Sequence, residues 1–114
     1  MEFEVRDLPY IVTHSWYPTH KIPEVAKRYL KMVEKFPPDE TLAEPVVPAS
    51  IKATERGIAS IGISLVKEGK LEEALSRTIQ SMVMHHDIEG YEYSVEIQNT
   101  VSEALSFIGT STSK

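Results

Sequence analysis

The order in which two hydrophobic periodicities alternate along the chain constrains its fold more than any other feature. In four segments, polar and apolar side chains alternate at every second residue, which is typical of β-strands. In two others, apolar residues recur at steps of three and four, which is typical of amphipathic helices. The order is strand, helix, strand, strand, helix, strand. The predicted strands cover residues 10–17, 46–54, 58–67 and 91–101, and the predicted helices cover residues 23–36 and 70–86.

Proline and glycine punctuate these segments where the pattern changes. The Pro37-Pro38 pair ends the first helix, because proline lacks the N–H that the helix needs. Gly57 supplies a positive φ for a hairpin between the second and third strands. Gly90 is a left-handed stop after the second helix. A last short helix is predicted over residues 103–108, with Ser102 as its N-cap.

These segments predict a single α+β domain over residues 1–114, with residues 1–8 and 110–114 loosely held. Two right-handed β-α-β crossovers joined by a hairpin give a four-stranded antiparallel sheet with both helices on one face. This is the βαββαβ arrangement of a ferredoxin-like fold.

The alternation along each strand assigns its side chains to one of two sheet faces. The face predicted to lie against the helices is apolar and consists of Ala49, Ile51, Ala53, Ile61, Ile63, Leu65, Val95 and Ile97. The opposite face is predicted to be small and polar, with Ser50, Lys52, Thr54, Ser60, Gly62, Ser64, Ser94, Glu96 and Gln98. In the first strand, where the pattern is ambiguous, Tyr10, Val12, His14 and Trp16 are assigned to this second face. We expect any function to be carried by the polar face.

Charge and composition exclude several classes of partner. The net charge of −5 and the scattered lysines and arginines argue against nucleic acid, whose affinity depends on basic side chains that neutralise phosphates. The longest uncharged apolar run, residues 57–66, is about half the length of a membrane-spanning helix. The chain has no cysteine, which excludes disulfides, thiolate metal sites and iron–sulfur clusters. We therefore expect a cytoplasmic protein with no nucleic-acid or membrane partner and no cofactor.

Several functions hosted by ferredoxin-like folds are also excluded. The third strand lacks the base-stacking aromatics of an RNA-recognition domain, and the loop after the first strand lacks the arginine of an acylphosphatase. The β-α-β-β-α-β order and the small polar face over residues 9–101 resemble the dimeric α/β-barrel superfamily, which includes small cofactor-free monooxygenases and isomerase-like proteins. The tract from Gly69 to Tyr93 is similar to that of uncharacterised archaeal and bacterial proteins of this shape. The resemblance implies a homodimer that holds a small ligand within the barrel or between sheet and helices.

Two histidines are candidate catalytic residues. His14, in the first strand, has a side chain whose ordinary pKa suits general base catalysis, and His86 is expected to face inward because it follows Met82 by four residues. Each also has a structural interpretation, as a satisfied histidine or as a favourable charge at a helix end. The adjacent pair His85-His86 invites a metal hypothesis, but neighbouring helical residues point about 100° apart, so no metal site is assigned.

The candidate ligand-binding residues lie on the predicted polar face and are Trp16, Lys52, Ser60, Ser64, Glu96 and Gln98. Lys52 and Glu96 are expected to form a desolvated ion pair if the face is enclosed, and to be solvated otherwise. Trp16 is either a ligand-stacking platform or an anchor in a protein interface. Three hypotheses remain open: a homodimer that binds a small molecule, a monooxygenase- or isomerase-like enzyme using His14 or His86, and an interaction module without a ligand.

Overall fold

The computed structural model describes residues 8–109 as four strands and three helices. The strands are β1 (Pro9–Tyr17), β2 (Ala43–Thr54), β3 (Gly57–Val66) and β4 (Glu92–Asn99). The helices are α1 (Ile22–Lys35), α2 (Leu71–Val83) and α3 (Val101–Phe107), and a short 3-10 turn, Thr19–Lys21, precedes α1. The predicted loose tail and most of the predicted lead-in lie outside the described residues. Leu8, the described end of the lead-in, is buried.

The strands form one antiparallel sheet in the order β2-β3-β1-β4. The predicted α+β class and four-stranded antiparallel sheet are therefore confirmed. The 3-10 turn and α3 add to the six elements of a plain βαββαβ arrangement. No helix among residues 8–109 is long and apolar enough to cross a membrane.

Local signals set the ends of α1 and α3. Pro23 lies in the first turn of α1, where its missing N–H costs nothing, and the helix ends before Pro37-Pro38, as predicted. The N-cap of α3 is Thr100 rather than the predicted Ser102. The Thr100 hydroxyl accepts a hydrogen bond of 3.1 Å from the backbone N–H of Glu103. This is the N3 position that a capping side chain reaches, so the helix starts two residues earlier than predicted.

The second helix ends earlier than predicted, and this changes which histidine is buried. α2 stops at Val83, so His85 and His86 lie in the turn that follows it. The backbone N–H of His85 bonds to the carbonyl of Met82 and that of His86 to the carbonyl of Val83, a three-residue spacing. Gly90, with φ of +82°, lies seven residues beyond the helix and completes this turn.

The prediction for the faces of β3 was wrong. In an antiparallel pair, directly opposed residues point to the same side of the sheet. Ile58 lies opposite Tyr17, and both pack in the core with Val25 of α1. Every second residue from Ile58 therefore faces the helices, and one step of register reverses the whole strand.

The helix-facing residues of β3 are consequently Ile58, Ser60, Gly62, Ser64 and Val66. Ile61, Ile63 and Leu65 lie on the open face, opposite His14, Val12 and Tyr10. The assignments for the first and fourth strands agree with the structure: Ser94, Glu96 and Gln98 pair with the open-face residues of β1, and Lys52 lies opposite Ala59 on the same side. The open face is therefore more apolar than predicted.

The helix-facing side holds two separate hydrophobic clusters. One contains Tyr17, Val25, Ile58 and Ile88, and the other contains Ile11, Val66 and Ala74. Between them, the sheet presents the small side chains of the middle of β1 and β3. Small side chains under two helices leave space, and a cavity lies there.

Candidate functional site

A cavity of about 550 Å³ lies between the helix-facing side of the sheet and helices α1 and α2. It is lined by Thr13, Ser15, Tyr17, Ile22, Val25, Ala26, Tyr29, Leu30, Met32, Pro48, Ala49, Ile51, Ser60, Ile61, Gly62, Thr78, Ser81, Met82, His85 and Tyr91. Cavities of several hundred Å³ with mostly apolar walls and a few polar groups are typical of small-molecule sites.

The floor of the cavity is the part of the sheet where side chains are smallest. β1 contributes Thr13 and Ser15, and β3 contributes Ser60 and Gly62. A Cβ atom at Gly62 would lie 2.9 Å from Oγ1 of Thr13, so glycine lets the two strands pair closely here. A floor of hydroxyls and glycine leaves a space that larger side chains would fill.

The walls and rim come from the two helices and from β2. The hydroxyl of Thr78 donates to the carbonyl of Ala74 at 2.9 Å, and that of Ser81 donates to the carbonyl of Thr78 at 2.7 Å. These α2 hydroxyls are therefore engaged by their own helix. At the rim, Leu30 is 68% exposed and Ile51 is 64% exposed. Exposed apolar residues around an opening are favourable to an apolar occupant.

His85 is the most unusual polar residue of the site. It is only 2% exposed, lines the cavity, and its Nδ1 atom has no hydrogen-bond partner. His86, the residue that we expected to face inward, is exposed, and its Nδ1 lies 2.7 Å from the carbonyl oxygen of Val83. The reason is the three-residue spacing after α2, which places His85 rather than His86 above the buried Met82.

Several groups determine the protonation of His85. Burial lowers the pKa of its imidazole, and the positive charge of Arg28 acts in the same direction. The nearby backbone carbonyls of Met82 and Ser81 and the carboxylate of Asp87 oppose this by favouring the charged form. The pKa stays below its ordinary value, so the imidazole is neutral at neutral pH.

A stack of aromatic rings adjoins His85. Its ring centroid lies 4.9 Å from that of Tyr91 with 18° between the planes, and Tyr91 lies 5.7 Å from Tyr17 with 11° between the planes. Burial raises the pKa of both phenols, and in Tyr91 a hydrogen bond with Ser15 opposes the rise. Both tyrosines therefore remain protonated, and both line the cavity.

An ion pair holds the turn that carries His85. Arg28 of α1 donates from Nη1 to Oδ1 of Asp87 at 2.5 Å and from Nη2 to Oδ2 at 3.3 Å, and it also donates to the carbonyl of Met84. This contact lowers the pKa of the Asp87 carboxyl. The guanidinium thus ties the first helix to the turn after the second, at the end of the cavity where His85 lies.

The structure brings only some of the predicted site residues together. Ser60 lines the cavity, whereas Ser64 lies on the same face nearer the second hydrophobic cluster. His14 and Trp16 lie on the open face and stack on each other, with ring centroids 5.7 Å apart. His14 does not line the cavity, and neither does the exposed His86.

Lys52 and Glu96 lie on opposite edge strands, with β3 and β1 between them. They share the open face but form no ion pair with each other, which leaves their predicted pairing without intramolecular support. The side chain of Gln98 donates to the Glu96 carboxylate at 3.2 Å on the same exposed strand. Among residues 8–109, no three His, Cys, Asp or Glu side chains are grouped so as to hold a metal ion.

Most residues of the cavity were not predicted from the sequence. Thr13 and Ser15 were assigned to no site, and His85 was ranked below His86. The sequence signal for the floor was present, because small residues in β3 were noted, but they were placed on the wrong face. No periodicity predicts a change from four-residue to three-residue spacing within a helix end, which is what buries His85.

Comparison with known proteins yields no functional assignment. No family model matches the chain, and no curated protein matches it. Among solved structures, an unknown protein from Galdieria sulphuraria is 12% identical over 85% of the chain, with a TM-score of 0.44, and the chain spans 48% of that protein. The designed protein Foldit4 is 12% identical over 83% of the chain and 99% of its own length, with a TM-score of 0.43.

Proposed function

We propose that this protein binds a small molecule in the cavity between its sheet and helices α1 and α2. The observation that carries the proposal is the buried imidazole of His85, whose Nδ1 faces no partner while the ring lines a cavity of about 550 Å³. A buried polar atom without a hydrogen bond costs free energy that a bound group would offset.

The surroundings of the cavity support the same proposal. A protein that used this space only for packing would gain stability from larger side chains at Ser60 and Ser15, because filling space increases dispersion contacts. Instead, the floor is small and polar, and the rim exposes apolar side chains such as Leu30. An occupant with an apolar body and a polar group would fit both the polar floor and the apolar rim.

A cavity-filling variant tests the proposal. Ser60→Leu places a larger side chain on the floor, whereas Ala59→Leu places the same side chain on the open face one residue earlier. Small molecules that co-purify with the protein, identified by native mass spectrometry, are expected with wild type and Ala59→Leu but not with Ser60→Leu. If no molecule co-purifies and no compound of a diverse set raises the melting temperature of wild type, the proposal is wrong.

The enzymatic alternative that depends on His14 or His86 has less support. Neither residue lines the cavity: His14 is stacked on Trp16 on the open face, and His86 is exposed. An interaction module without a ligand would leave the unpartnered imidazole of His85 unexplained. Binding is therefore the function that the geometry supports best.

We also propose that the chain has a ferredoxin-like fold with an added 3-10 turn and helix α3, and that two copies form a homodimer through their open sheet faces. Two β-α-β units joined by the β2–β3 hairpin support the fold, and a face with Trp16 44% exposed beside Ile61 and Ile63 supports the pairing. Sedimentation is expected to show a dimer for wild type and a monomer for Ile63→Lys. The matched control is Ile97→Lys, on the helix-facing side, which keeps the dimer. A wild type that stays monomeric at high concentration refutes the pairing.

A further inference from the structure

The lining of the cavity carries no fixed charge. Among the described residues that surround it there is no Asp, Glu, Lys or Arg. Arg28 and Asp87, which adjoin the His85 turn, are paired with each other. A charged ligand group would lose its hydration here without meeting a counter-charge, which costs far more than desolvating a neutral group. The enclosed part of a ligand is therefore neutral.

The polar side chains of the cavity that lack a hydrogen-bond partner indicate which neutral group a ligand would carry. Thr78 and Ser81 are engaged by their own helix, whereas the buried Nδ1 of His85 has no hydrogen-bond partner. In a neutral imidazole this nitrogen either donates or accepts, depending on the tautomer. A hydroxyl group satisfies either case because it both donates and accepts.

The wall beside this nitrogen is aromatic. The rings of His85, Tyr91 and Tyr17 stack in sequence, and the thioether side chains of Met32 and Met82 also line the cavity. Aromatic rings pack favourably against each other in offset or tilted arrangements, and methionine adapts its shape to them. A ring is the apolar body that fits such a wall.

We infer that the cavity selects neutral hydroxylated aromatic molecules, with the hydroxyl hydrogen-bonded to the imidazole of His85 and the ring against the Tyr91 and Met82 side chains. This inference rests on the proposed function, since it names the class of ligand for the same cavity. The lowered pKa of His85 is consistent with it, because a neutral imidazole keeps one nitrogen available as an acceptor.

Three matched probes test the inference on the full-length wild-type chain: β-naphthol, its methyl ether and the naphthoate anion. All three carry the same ring system, so their binding constants from isothermal titration isolate the polar group. β-Naphthol is expected to bind about tenfold more tightly than the methyl ether, as the loss of one buried hydrogen bond implies. Naphthoate is expected to bind more weakly than either. Equal binding of β-naphthol and its ether, or tightest binding of naphthoate, overturns the inference and leaves cavity binding intact.

Two variants locate the preference at His85. His85→Phe keeps a ring against Tyr91 but removes both nitrogens, and His86→Phe makes the same change at the exposed neighbour. The tenfold preference for β-naphthol over its ether is expected to vanish in His85→Phe and to persist in His86→Phe. If His85→Phe keeps the preference, the assigned hydrogen bond is wrong. Absence of binding by all three probes to wild type, together with no co-purified molecule, counts instead against the proposed function.

Discussion

The hairpin between β2 and β3 offers a sharp stability prediction at Gly57. Its φ of +129° lies in a region that side chains rarely adopt. A Cβ atom there would overlap the carbonyl oxygen of Tyr17, with the carbonyl carbon of Tyr17 at 3.2 Å and Cα of Pro18 at 3.3 Å. All three atoms belong to the backbone, so Gly57→Ala cannot be accommodated by rotating a side chain.

The expected loss in the free energy of unfolding is estimated by comparing Gly57 with Gly69. That residue also has a positive φ, +74°, but an added Cβ meets no atom within 4 Å, so Gly69→Ala reports backbone strain alone, about 1 kcal/mol. Gly57→Ala adds a greater conformational cost and displaces the Tyr17–Ile58 pair at the core, and we expect a loss of about 4 kcal/mol. Against a typical stability of about 5–15 kcal/mol, this is a large fraction of the free energy of unfolding.

Urea unfolding followed by fluorescence measures both losses. The chain has one tryptophan, Trp16, which adjoins Tyr17 on β1 and therefore reports on the strand that the substitution displaces. If both variants have the same dependence of the free energy of unfolding on urea concentration, the difference between their midpoints gives the difference in free energy. If Gly57→Ala and Gly69→Ala agree within about 1 kcal/mol, the steric reasoning is refuted.

Three further predictions concern the end of the cavity where His85 lies. Because burial holds the folded-state pKa of His85 below its ordinary value of 6.5, the unfolded chain takes up that proton first as the pH falls. The free energy of unfolding therefore falls as the pH drops below about 6.5. The His85→Phe variant, measured by urea unfolding, is expected to lose stability less steeply over this pH range. An equal slope in the variant and the wild type contradicts a lowered pKa of His85. Ile88→Ala, at a side chain 2% exposed, is expected to cost about 2–5 kcal/mol in the same assay, and the control Ile108→Ala, at 74% exposure, less than about 0.5 kcal/mol. Arg28→Gln is expected to speed amide hydrogen exchange in the turn after α2, because it removes the contacts to Asp87 and Met84; unchanged exchange rates show that the ion pair does not hold the turn.

Local sequence patterns predicted the elements because each depends on nearby residues. The apolar stripe of α1 and the Pro37-Pro38 stop are read directly from spacing. The alternation in β4 gave its faces correctly, since Val95 packs on the inner side. β2 is longer than predicted, beginning at Ala43, because register shifts around Pro45 and Pro48 interrupt the pattern that marks a strand.

The orientation of β3 could not be obtained from its own pattern. Both of its faces have a regular alternation, and the set Ile61, Ile63 and Leu65 is the more apolar one. The tertiary structure chose the opposite set because Ile58 and Val66, at the two ends, are held in separate hydrophobic clusters. Because successive side chains of a strand point to opposite faces, Ser60, Gly62 and Ser64 then lie on the same side as Ile58 and Val66. Ser60 and Gly62 thereby form part of the floor of the cavity.

The amino-acid sequence by itself determined the α+β class, the strand and helix order, and the absence of cysteine chemistry. Only the tertiary structure decided where the cavity lies and which histidine lines it. The reason is that periodicity is a property of one element, whereas a cavity depends on which faces of several elements meet. His85 lies at such a meeting, among α2, the Arg28 contact and the Tyr91 ring.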